Sequence, residues 1–436
     1  KLGKGLFWRS RDFFVGGFFP MLSYSDDDDD EGGAVEQPAT ERTRLVLPST
    51  EKPCSSETIR RHWINFSLSF AIIHGAAVTA LAFASSMLPG SVLASLSLGT
   101  FYGAYALSAL VFAHNLVVNR GALTALCFGF SAYIALILGL VLAASLPPLA
   151  AAFVVVVASA VGGAGGGCLW VAQTTHYALC STDARVDFAS IFAVTYVTVE
   201  GGFKLLIAGS LLFVDSSLSL AITSTAVIAA GTLGLVILRP EARGLSWSVE
   251  QKQHHYCDLN ALTAVGRAYL TDPRVALLAP LSLAFGFSSA WFTDALAASV
   301  SAENGLWAVG LASALAALAA GVAAPCLGFA ASVMGRGSTV AIGAASYAAV
   351  AVLLITAKQG VGRWAFAAPA FALQGVNRAL FEHSAKVIIS ETFADSPQKT
   401  AALASIHVAF GLSATATYSL IPIASFQGAA WAMAGF

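Results

Sequence analysis

The stretch LAAAFVVVVASAVGGAGGGCLWVAQTTHYAL, residues 149–179, contains no Asp, Glu, Lys or Arg. At about 1.5 Å per residue a helix of this length exceeds a hydrocarbon core of about 30 Å. Lipid offers no partner for backbone N–H and C=O groups, so only a helix or a closed barrel satisfies them there. A tilted barrel strand needs only about ten residues, so the run reads as a helix. Similar runs lie on both sides, near Ile64–Leu88, Val92–Val117, Ala122–Leu146, Phe188–Val214 and Leu218–Leu238. A second set lies near Val275–Ser299, Leu306–Val333, Ser338–Ala357, Ala365–Ser390 and Ala401–Ser425. The expectation is an all-α polytopic membrane protein of about twelve spans.

Composition agrees with this. Hydrophobic residues make up 57% of the chain and charged residues only 11%, with a mean hydropathy of +0.74. A water-soluble chain holds roughly a quarter charged residues to solvate its surface. The net charge of −1 and the lack of a basic stripe exclude a nucleic-acid partner; the bilayer is the expected one. The six cysteines show no paired CxxC spacing and read as small packing residues, so no metal and no cofactor is expected.

Polar segments divide the chain. Residues 1–62 form a tail with a basic, aromatic start, suited to a membrane interface or a targeting remnant, and an acidic run Asp26–Glu31. Residues 63–238 are a first six-helix half, 239–272 a central loop, and 273–436 a second half. The stretch from Gln427 to Phe436 is too short to cross, so the last helix is expected to be incomplete. The chain starts at Lys1 rather than methionine, from which a missing N-terminal piece is expected, as in an organellar (plastid or mitochondrial) subunit. Arg60, Arg61, Arg120, Arg185, Arg239, Arg243, Lys252, Arg267, Arg274, Arg336 and Lys399 fall on one side of the predicted spans. The other side holds Lys358 and Arg363, so the basic side is expected to face the cytosol or its organellar equivalent.

Asn119-Arg120-Gly121 comes after the second span, and Gly335-Arg336-Gly337 after the eighth. Each is expected to make a tight turn, with Gly121 and Gly337 beside the arginines Arg120 and Arg336. Six spans, a loop and six more is the plan of the major facilitator fold, whose halves are parallel repeats. Three segments resemble the Unc-ninety-three-like branch of that superfamily, the ion-channel regulatory proteins. They are Leu98–Ser108; Gly166–Gln173, with its leucine-tryptophan and alanine-glutamine wording; and Gly375–Glu382 with Glu391-Thr392-Phe393. Transporters of the superfamily carry an acidic residue ahead of the first turn and further basic residues after it. This chain has Asn115 and Asn119 there, and then Ala122-Leu123-Thr124.

Ionisable groups in hydrocarbon are costly and need a reason. Gln374, Arg378, Glu382 and Lys386 recur every fourth residue, which places them on one helix face where opposite signs can neutralise one another. Lys386 is near enough to the surface to snorkel. Glu200 and Lys204 form a similar spaced pair, which the superfamily resemblance implies is a structural or gating contact between the halves. Gly162, Gly163, Gly166 and Gly167 offer close helix approach. The superfamily resemblance implies a central cavity where His74, Gln173, His176, Trp291, Asp294, Arg378 and Glu382 converge on a solute or proton. The histidines otherwise read as hydrogen-bonded within the bundle, and no serine elbow, HExxH or Walker sequence points to an enzyme.

Two functions are open. The resemblance implies a regulatory or structural partner subunit of a larger membrane complex, whose tail (Asp26 to Arg61) would contact another membrane protein. The alternative is a secondary carrier of a small solute, with Glu200, Glu382 or Asp294 as acids able to couple it to protons.

Overall fold

The computed structural model describes residues 56–87, 91–143, 145–180, 185–213, 259–357, 360–393 and 398–421. Every regular element among them is helical. In chain order they are α1 (Ser56–Met87), α2 (91–120), α3 (Ala122–Ala143), α4 (Pro148–Cys180), α5 (Arg185–Phe213) and the short α6 (Leu259–Thr271). Then come α7 (Pro273–Asn304), α8 (Leu306–Met334), α9 (Arg336–Ala357), α10 (364–392) and α11 (Lys399–Leu420). Nine helices among the described residues are long and apolar enough to cross a membrane. Helix α10 matches its neighbours in length but carries Arg378, Glu382 and Lys386, so its apolar character falls short. The predicted sixth span, most of the central loop, the tail before Ser56 and the expected incomplete last helix lie outside the described residues.

Outward faces are apolar. Leu149, Phe153, Phe213, Val322 and Phe329 are each more than two-thirds exposed, which in water would be an unsatisfied surface but suits lipid. Inside, the first half is held by stacked aromatic rings. Trp63 lies parallel to Phe188, Phe70 meets Phe192 and Trp170 edge-on, and Trp63 Nε1 donates to the Phe188 carbonyl at 2.8 Å. A separate cluster built on Phe292, Leu296, Val309, Leu354 and Phe371 packs the second half. The halves meet along two seams, α5 against α8 and α2 against α11.

Small residues set how closely the helices approach. On α4, Gly163 and Gly167 face α2, where an added Cβ would lie 2.0 Å from the Phe101 carbonyl oxygen and 2.5 Å from that of Tyr105. Gly162 faces α3 at Leu136, so one run of glycines seats α4 against two neighbours.

The turns correct part of the expected repeat. Gly121 and Gly335 both have left-handed φ, 86° and 84°, and close the second described span of each half. Gly337 lies within α9 without such a φ. The equivalent turn glycines are therefore Gly121 and Gly335. Arg120 ends a helix, whereas Arg336 begins one. Arg336 forms a two-pronged pair with Glu391 at the end of α10, its Nε donating at 2.9 Å to Oε2 and its Nη2 to Oε1. Both side chains are about a third exposed, 34% and 37%. Arg336→Ala should therefore cost less than about 1 kcal/mol, read as a small change in melting temperature. Beside this pair, Asp272 caps α7 by accepting from the Arg274 backbone N–H at 3.0 Å, with Pro273 at the first helical position.

Candidate functional site

Helix α10 brings the charges to the middle of the bundle. Arg378 uses its whole fork: Nη1 donates to Glu200 Oε1 at 2.8 Å and Nη2 to Glu200 Oε2 at 2.5 Å. Its Nε lies 3.1 Å from both oxygens of Glu382. Tyr196 closes the ring, its hydroxyl accepting from Arg378 and donating to Glu382 Oε2. Lys204 Nζ donates to Glu200 Oε1 at 2.5 Å. Glu200 is fully buried and Lys204 nearly so. Two carboxylates and two cations thus neutralise one another across the α5–α10 boundary. Only a planar guanidinium reaches three partners in one plane, so lysine could not replace Arg378 here.

Lys386 does not complete the expected stripe, and it does not snorkel. Residues Leu380–Ala385 form a π-helical stretch. A π turn inserts about one residue and rotates the side chains beyond it by about 100°. Lys386 therefore turns from Glu382 toward α4, where Nζ donates to Gln173 Oε1 at 2.9 Å and sits 4.4 Å from the centre of the Trp170 ring. It is 2% exposed, its charge facing an aromatic surface and an amide rather than water.

Next to this network is a cavity of about 130 Å³. Its wall takes His74 from α1, Tyr102 and Tyr105 from α2, and Glu200 and Lys204 from α5. From the second half come Ser289 and Thr293 of α7, Gln374, Arg378 and Glu382 of α10, and His407 of α11. Aromatic rings, among them Phe101, Phe285, Phe371 and Phe410, supply the rest. The helices α2, α7 and α10 each carry a π-helical stretch, Ser108–Ala113, Phe292–Leu296 and Leu380–Ala385. A π turn leaves a local gap in the backbone ladder, and such turns occur often at functional sites.

Of the residues expected to converge, His74, Arg378 and Glu382 line this cavity, and so do Glu200 and Lys204. Gln173 lies one layer away, holding Lys386. His176 lies elsewhere, its Nε2 3.1 Å from that of His62. Asp294 accepts from Ser95 Oγ at 2.9 Å and so ties α7 to α2, while Trp291 is packed in the core of the second half. Sequence reasoning misses Tyr196, Tyr102, Tyr105 and Ser289. Tyr196 is nevertheless legible, because Tyr196, Glu200 and Lys204 stand four apart on α5 just as Gln374, Arg378 and Glu382 do on α10. The other three carry no periodic signal.

Solved structures share this architecture. The xylose transporter XylE from E. coli, in a partially occluded inward-open conformation, superposes with a TM-score of 0.60 at 16% identity, covering 87% of this chain and 93% of that one. A mutant of the nucleoside transporter NupG gives 0.58 at 14% identity, covering 86% and 96%. No sequence-family model and no curated protein matches the chain. At these identities the likeness shows the fold alone, an all-α bundle of membrane-spanning helices shared with these two proteins.

Proposed function

We propose that this multi-pass membrane protein is a secondary carrier of a small, neutral, polar solute, moved by rocking its two halves about the central cavity. One observation carries the reading: a self-neutralised charge network lies at mid-bundle, bridges the two halves and forms one wall of that cavity. Balanced charges leave no net field to select an ion. The hydroxyls of Tyr102, Ser289 and Thr293, the Gln374 amide and flat aromatic walls suit a solute with hydroxyl groups and a ring face. The structural neighbours are described as xylose and nucleoside transporters, chemistries of this kind. Arg378, Glu382 and Glu200 would hold the two halves in register, and His74, Gln374 and the tyrosines would contact the solute.

The partner-subunit reading draws on a tail outside the described residues and on the three segments that resemble the Unc-ninety-three-like branch. Nothing in the cavity favours it. Counterflow of xylose and of uridine in proteoliposomes tests the carrier. We expect exchange above empty vesicles for one of them, reduced at least tenfold by Glu382→Gln. Folded, monodisperse protein that exchanges neither would overturn the reading of a neutral polar solute.

A further inference from the structure

Away from the cavity, toward the end of the bundle where α1 begins and α4 ends, three metal-binding side chains come together. His62 Nε2 and His176 Nε2 are 3.1 Å apart, and His176 Nε2 is 3.7 Å from Cys180 Sγ. All three ligand atoms lie within 4.8 Å of one another. The side chains are buried, at 5%, 2% and 7% exposure. We propose that His62, His176 and Cys180 form a site for a thiophilic, tetrahedral divalent cation of the zinc type.

The distances carry the argument. With metal–nitrogen bonds of about 2.0–2.1 Å and a metal–sulfur bond of about 2.3 Å, tetrahedral ligands stand about 3.3 Å apart for N and N and about 3.5 Å for N and S. Two of the three edges found here match these lengths, and the third closes with a movement of Cys180 Sγ of about an ångström. A single bond between two neutral imidazoles accounts for the 3.1 Å contact alone; it gives no reason for a thiol on the same helix face, one turn away, to share the spot. The surroundings are aromatic. Phe66 lies 4.9 Å from the His176 ring centre, and Trp63 stacks on that ring at 6.0 Å. These rings limit the access of solvent to the site. Neutral imidazoles and a thiolate are the binding forms, so metal entry would release the Cys180 thiol proton to solvent. With three protein ligands the fourth position stays open to a water or another donor. The absence of paired spacing hid this site from the sequence, because His62 stands 114 residues before His176. Both helices belong to the same half, so the cation would fasten α1 to α4 without restraining the rocking proposed above.

The test uses the full chain, purified in detergent, freed of metal with a chelator and titrated with Co²⁺ as an optical probe. We expect a thiolate-to-cobalt charge-transfer band and intense four-coordinate visible bands, saturating at one equivalent and displaced by Zn²⁺. Cys180→Ser should remove the charge-transfer band, whereas Cys127→Ser should keep it. Loss of groups that merely orient ligands costs about 10–100-fold in affinity, so His62→Ala should cost at least that much. A wild-type titration with no thiolate band, or a band that persists in Cys180→Ser, would overturn the proposal. The wild-type result requires no variant to fold, and neither readout depends on solute transport.

Discussion

Replacing Arg378 with glutamine should lower the melting temperature of the purified protein more than any other single polar substitution in the bundle. The side chain is 13% exposed and satisfies Glu200, Glu382 and Tyr196 at once. Without it, Glu200 keeps Lys204, but Glu382 loses the one cation that bonds it among the described residues, because the Lys386 ammonium is turned to Gln173 and Trp170 and attracts Glu382 only from a distance. Removing one member of a buried ion network costs about 3–5 kcal/mol, chiefly because a charge is left buried and uncompensated. The double variant Arg378→Gln with Glu382→Gln should therefore be more stable than Arg378→Gln alone, despite having lost more bonds. Arg378→Lys should rescue little, since an ammonium group cannot bond two carboxylates and a phenol in one plane. Thermal melts of the four proteins decide the matter. A single variant as stable as wild type would mean that the network is not assembled in the folded protein.

Gly163→Val should have the second largest effect, and for a different reason. Its added Cβ would fall 2.0 Å from the Phe101 carbonyl oxygen and 2.8 Å from the carbonyl carbon, both of them backbone atoms that cannot rotate aside. Helices α2 and α4 would have to part. Helix α2 carries Tyr102 and Tyr105 into the cavity, and Tyr105 bonds His407 of the other half at 2.8 Å. Overpacking of a well-filled core costs about 1–3 kcal/mol or more, and here it also disturbs the cavity wall. We expect little monodisperse protein. Gly209→Ala is the control, because nothing lies within 4 Å of the Cβ it would add. It should be neutral or slightly stabilising, since glycine inside a helix costs about 0.5–1 kcal/mol relative to alanine. If Gly163→Ala behaved like Gly209→Ala, the close approach of α2 and α4 would be refuted.

The charged rungs are the most legible part of the site. Ionisable residues are so disfavoured in lipid that each one in a span announces itself, and Arg378–Glu382 and Glu200–Lys204 pair within their own helices as the fourfold spacing implies. The rungs also join to each other through Arg378 and Glu200, 178 residues apart, which no spacing could announce. Lys386 departs from its expected place for a local reason: a regular 3.6-residue period does not extend through six residues that are π-helical. Asp294 and Trp291 sit on a helix that lines the cavity, but their side chains turn to Ser95 and to the core. A fold-level analogy assigns helices, and the orientation of each side chain is a separate matter.

By itself the sequence determined the class, the approximate spans among the described residues and the helices that carry charge. Each of those rests on short-range physics: the thickness of hydrocarbon, the need of every backbone group for a partner within its own helix, and the cost of a charge in lipid. Tertiary structure alone decided which charges meet, where the π turns rotate a side chain away, which glycine makes the second turn, and that His62 lies against His176 and Cys180. These depend on how closely helices far apart in the chain can approach. That distance is set by what packs between them, and the periodicity of a single helix does not encode it.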